Sequence, residues 1–138
     1  MSKQIYINLP VQDLTKSTDF YTALGFTFNS QFSNNDASAM VWSDTITVML
    51  LSHEFYSKFT PKTIADTQKT SSCLITLSLD SKAEVQNFAD IAKANGGDYY
   101  IAEPNQGLDF MFCYEVTDPD GHILEPLFMD ITKFPVQN

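Results

Sequence analysis

The chain is short of positive charge, of cysteine and of long apolar runs. Eight Lys and Arg stand against seventeen Asp and Glu, a formal net charge of -9. That balance argues against phosphate backbones and anionic membrane surfaces as principal partners. No apolar run reaches the roughly 18 residues that a membrane span needs, and no basic-then-apolar leader opens the chain. A soluble cytoplasmic protein is expected, with no nucleic-acid and no membrane partner. Two cysteines cannot make a disulfide framework. Cys73 and Cys113 fall within predicted strands with no His or basic residue beside them. They are expected to be buried free thiols of a reducing compartment, not nucleophiles. A Gly-rich phosphate loop, a serine-nucleophile elbow and a CxxC pair are missing as well.

What is present is enough for a core. The 138 residues are 43% hydrophobic and 13% aromatic. They suit one domain, or two small modules sharing one core. The stretch Asp118-Pro119-Asp120-Gly121-His122-Ile123-Leu124-Glu125 reads as a tight turn feeding an apolar strand with one carboxylate in it. A Glu inside a buried strand is costly unless something pairs with it. Glu125 is therefore the first candidate for chemistry or for a structural hydrogen bond.

Periodicity supplies the rest. Ile5, Ile7, Leu9 and Val11 alternate with Tyr6, Asn8 and Pro10, which predicts a strand with one apolar face. A helix capped by Asp13 or Thr15 follows and stops at Gly25. Strands are predicted at Phe26–Phe28, 37–43 and 45–51, with a turn over 29–36 and a short hairpin at Ser43-Asp44. Residues 53–71 are polar, with Phe55 and Phe59 four apart, and read as a turn or two of helix and then a linker. That linker is either a lid over a site or a plug at one end of the core. The second half repeats the first: a strand from Cys73 to Leu79, a helix over 82–95 capped by Ser81, and a stop at Gly96-Gly97. A short strand Tyr99–Ile101, a turn at Pro104–Gly107, a strand over 109–116 and the final strand complete it. Module one spans about 1–52, the linker about 53–71, module two about 72–130 and a tail 131–138. Repetition at half the chain length indicates two similar modules, each with a helix on its apolar face and a mixed face left to line a cleft.

This layout resembles the vicinal oxygen chelate superfamily, which includes glyoxalase I, bleomycin-resistance proteins and extradiol dioxygenases. The likeness is carried by Leu9-Pro10-Val11-x-Asp13-Leu14, Ser17-x-x-Phe20-Tyr21, Leu24-Gly25-Phe26 and Asp118-Pro119-Asp120-Gly121-x-x-x-Glu125. The resemblance implies an α+β fold of two βαβββ modules whose curled sheets enclose a cavity, often completed in a homodimer. It also implies a metal centre in the enzymes of the family, with ligands on the first and last strands of each module. Carried over, those positions fall on Tyr6, Met49, Leu74 and Glu125. Only Glu125 is a good oxygen ligand, and a catalytic centre needs about three protein donors. His53 lies in the linker and His122 points to the opposite face of its strand. No metal and no cofactor are therefore expected.

The mixed face offers Tyr6, Asn8, Met49, Thr76 and Ser78 with Glu125, an apolar floor with a few hydrogen-bonding groups, as small-molecule pockets have. Glu125 could act there as a general base, hold a cationic group, or be satisfied by neighbouring hydroxyls as a purely structural acid. Trp42, Phe110, Phe112 and Tyr114 are either a stacking surface or core. Three functions are compatible: a metal-free protein binding a small organic ligand, a metal-dependent lyase or dioxygenase with a rearranged site, and a non-catalytic partner-binding module using residues 53–71.

Overall fold

The computed structural model describes residues 2–101 and 109–133. It is a mixed α+β fold of two compact units, Met1–Thr70 and Ser71–Asn138. In the first, strand β1 (Ile5–Val11) leads into helix α1 (Leu14–Ala23), followed by β2 (Thr27–Asn29), β3 (Ala37–Ser43), β4 (Ile46–Ser52) and the short α2 (His53–Tyr56). The sheet order is β1-β4-β3-β2, with β1 parallel to β4 and the other pairs antiparallel.

Local chemistry sets the boundaries. The Asp13 carboxylate accepts from the Lys16 N–H at 3.0 Å and so caps α1. Gly25, at φ +106°, turns the chain out of α1 in a conformation that side chains with a Cβ rarely adopt. Phe26, expected to open the second strand, is instead buried against Tyr21 and Trp42, with ring centroids 5.2 and 4.9 Å away. The strand begins one residue later. Within the turn expected over 29–36, Asn29 caps a 3₁₀ turn, Ser30–Phe32. One face of the sheet meets α1: Met40, Val48 and Leu50 are buried with Phe20 and Tyr21, and the Thr18 and Ser38 hydroxyls meet at 2.7 Å.

The second unit repeats the plan: β5 (Leu74–Ser78), α3 (Lys82–Ala94), β6 (Asp98–Tyr100), β7 (Met111–Cys113), β8 (Glu115–Thr117) and β9 (Ile123–Met129). Its order is β5-β9-β8-β6, with β7 also on β9. The α3 N-terminus is held reciprocally. Ser81 Oγ accepts from the Glu84 N–H at 3.1 Å, and Glu84 Oε2 accepts from the Asp80 N–H at 2.6 Å. Val85, Phe88, Ala89 and Ala92 of α3 bury the same face of the sheet as Leu77, Val116 and Leu124. A 3₁₀ turn, Ile131–Lys133, follows β9. The expected Pro104–Gly107 turn and the end of the tail lie outside the described residues.

The single strand expected over 109–116 is split at Tyr114, and Pro126 explains the split. One register runs through both halves, from Met111 opposite Met129 to Thr117 opposite Ile123, so Tyr114 faces Pro126. The Tyr114 N–H reaches the Pro126 carbonyl at 3.4 Å. Proline has no N–H to return the bond, and the ladder loses one rung. Cys73 departs further from expectation. It lies one residue before β5 and is exposed, whereas Cys113 lies within β7 and is half-buried; both are free thiols.

Candidate functional site

Strand parity places the expected site residues on the faces turned away from the helices. In the first unit Asn8 lies beside Met49 and Tyr6 beside Thr47, while Met49 also faces Ala39 across β3. These five residues and Phe32 are among those lining an open cavity of about 540 Å³. Tyr6 is 60% exposed, a large aromatic surface left to solvent. A second hollow of about 360 Å³ is lined by Asn8 and Leu51 with Tyr56, Phe59 and Thr60. The polar stretch after β4 thus bends back along the side of the sheet turned away from α1. Phe55 and Phe59 brace it edge to face at 5.1 Å.

In the second unit β5 and β9 are parallel and Thr76 lies beside Glu125. The Thr76 hydroxyl donates to Glu125 Oε1 at 2.9 Å. Ser78 shares that face two residues on, and Leu74 shares it two residues before. Leu74 is 53% exposed, turned away from α3. The turn that delivers β9 is built as its residues dictate. Asp118 Oδ1 accepts from the N–H groups of Asp120 and His122, both at 2.9 Å, and the Gly121 N–H donates to the Asp118 carbonyl at 3.0 Å.

The aromatic candidates belong mainly to the core side. Trp42 packs on Phe26. Tyr114 is buried against Tyr99 and Phe112, and its hydroxyl donates to Gln86 Oε1 of α3 at 2.6 Å.

Glu115 and Cys113 were not among the residues expected at the site. The β8–β9 register puts Glu115 directly across from Glu125, and Cys113 two residues earlier on the same face. Tyr114 and Pro126 occupy a hydrogen-bonding rung, so Glu115 and Glu125 take the next rung, where side chains come closest. Burial pushes the Glu115 carboxyl up to about 8, with the hydrogen bond to Glu125 and the Glu125 charge adding to it. Glu115 is therefore held in its protonated form at neutral pH, hydrogen-bonded to Glu125. Burial also raises the Cys113 thiol, followed by the charges of Glu125 and Glu115. The available signal was alternation: once Tyr114 is a core residue, Cys113 and Glu115 must face the other way.

The four positions to which the resemblance carries a metal centre do not fit a metal ion. Leu74 carries no donor atom, Met49 offers only a thioether, and Glu125 is the one carboxylate among them. No step can be routed through a metal held there.

Comparison with known proteins agrees with this architecture. The family described as bleomycin resistance protein-like N-terminal matches residues 3–41. A search of curated proteins found no match. Among solved structures, a hypothetical protein from S. aureus superposes with a TM-score of 0.76 at 26% identity, covering 93% of this chain and 94% of the other. A glyoxalase-related enzyme from Fulvimarina pelagi gives 0.75 at 21% identity, covering 99% and 94%. A glyoxalase/bleomycin resistance protein/dioxygenase family enzyme from Burkholderia phytofirmans gives 0.74 at 18%, covering 93% and 99%. The repeated βαβββ plan, the matched N-terminal segment and these superpositions show that the chain has the fold of glyoxalase/bleomycin resistance/dioxygenase proteins.

Proposed function

We propose that this chain binds a small organic molecule on the mixed face of its first sheet, acting in the cytoplasm as a homodimer and using no metal at the four inherited positions. The cavity of about 540 Å³ lined by Tyr6, Asn8 and Met49 carries the reading. Its size lies within the roughly 300–1,000 Å³ of sites for small ligands, and apolar walls with a few polar groups are what such sites present. Tyr6 supplies a face for stacking, Asn8 a donor and an acceptor, and Met49 an adaptable floor. Thr76 and Ser78 offer hydroxyls on the corresponding face of the second unit. Glu125 is less available as a free base, because the Thr76 hydroxyl and Glu115 already engage its carboxylate.

The wall formed by Tyr56 and Phe59 favours a ligand-lining role for the segment after β4 over a contact for a protein partner. A screen of planar neutral and cationic compounds by ligand-observed NMR tests the proposal. Hits should weaken about tenfold or more on Tyr6→Ala, the loss expected of one desolvated aromatic contact. Hits indifferent to both Tyr6→Ala and Met49→Ala would refute the assigned cavity. Sedimentation of the purified chain tests the homodimer.

A further inference from the structure

We infer that Cys113, Glu115 and Glu125 form a divalent-metal site in the second unit, of the zinc or cobalt(II) kind. It does not depend on the cavity of the first unit, and it shares only Glu125 with the inherited positions. Two carboxylates directly opposite in a sheet repel when both are charged, so either a proton or a cation must stand between them. Among the described residues, no Lys, Arg or His forms an ion pair with either carboxylate; the ion pair found there is Lys93 with Asp98 at 3.8 Å. Glu115 is 9% exposed, and its Oε2 is buried without a hydrogen-bond partner. A buried acceptor left in that state is destabilising.

The missing partner has a recognisable chemistry. One donor atom from each of Cys113, Glu115 and Glu125 lies within 4.8 Å of the others. Zinc bonds of about 2.0–2.3 Å ask these side chains to close by a modest rotation. A thiolate with two carboxylates suits zinc or cobalt(II); calcium and magnesium take oxygen alone. Thr76, donating to Glu125 Oε1, is the outer-shell hydrogen bond that orients such a ligand. Three protein donors leave a coordination position open to solvent or ligand. The expectation of no metal rests on the four carried-over positions and the two histidines, and Cys113 and Glu115 lie outside that set.

Cobalt(II) titration of the full, chelator-stripped chain, followed by absorbance, tests the site. The expected result is one cobalt per chain with a thiolate-to-cobalt charge-transfer band in the near ultraviolet, abolished by zinc. The band should persist in Cys73→Ser and vanish in Cys113→Ser. Glu115→Gln, which keeps shape and removes charge, should weaken binding at least tenfold. Thr76→Val should weaken it by about ten- to a hundredfold. No saturable binding to the wild-type chain would overturn the site and leave the pair held by its proton. A band that survives Cys113→Ser or is lost with Cys73→Ser would overturn it equally.

Discussion

The two units set different chemistry on the same frame. In each, a central strand carries the key side chain, flanked by a parallel first strand and an antiparallel neighbour. Met49 in the first unit lies beside Asn8 and opposite Ala39. Glu125 in the second lies beside Thr76 and opposite Glu115. Cys113 takes the place that Ala37 has in the first unit. One face is thus hollow, with Asp44 as the acid at its lining, and the other sets two acids and a thiol together. The helix-facing sides, by contrast, are apolar in both. Folding constrains the buried face, and the outward alternation is left free to differ.

Exchanging the two faces is the most severe way to break this comparison. Ala39→Glu with Met49→Glu rebuilds the acid pair in the first sheet without the surroundings of the second. Ala39 is 2% exposed, so the new carboxyls are overpacked and partly desolvated. A loss of about 2–4 kcal/mol is expected in chemical denaturation. The mirror change, Glu115→Ala with Glu125→Met, should be nearly neutral or stabilising, because a buried carboxyl with an unsatisfied oxygen is removed.

A pH series is the next largest effect. In chelator-treated protein, Glu115 has a folded value raised to about 8 from an ordinary 4.5. Its neutral form is the one the fold favours. The stability it contributes is fully present below 4.5 and is lost as pH rises through about 8. Denaturation midpoints should therefore fall over that window, and Glu115→Gln should flatten the fall. A wild-type curve that stays level from acid to alkaline pH contradicts the buried acid.

Much of the frame was legible beforehand. Period-two alternation marked β1 and β5, Asp13 and Ser81 marked both helix starts, and the Asp118 turn fixed where β9 begins. Laying the two halves over each other paired Met49 with Glu125, and the two parallel registers put them in equivalent places. The site was legible only on one side of each pairing. Glu115 and Cys113 fall in a stretch that reads as one uninterrupted strand, and its partner across the sheet cannot be read from local pattern. A non-local register decides which acid meets which. Cys73 was misjudged for a related reason: alternation continued one residue past the true end of the strand.

The two thiols sharpen the comparison with the smallest effect. Cys73 is exposed and Cys113 half-buried with its thiol raised by burial and then by the charges of Glu125 and Glu115. Alkylation near neutral pH, followed by mass spectrometry, should modify Cys73 first, with Cys113 slower by about an order of magnitude. Equal rates would show that Cys113 does not sit against the acid pair.

The most direct measurement is a carbon-13 NMR titration of the side-chain carboxyls in glutamate-labelled, chelator-treated chain. One glutamate should titrate near 8 and disappear from the spectrum of Glu115→Gln. If every glutamate titrates below about pH 6, as exposed carboxyls do, then Glu115 and Glu125 do not face each other in a buried pair, and the distinction drawn between the two units is wrong.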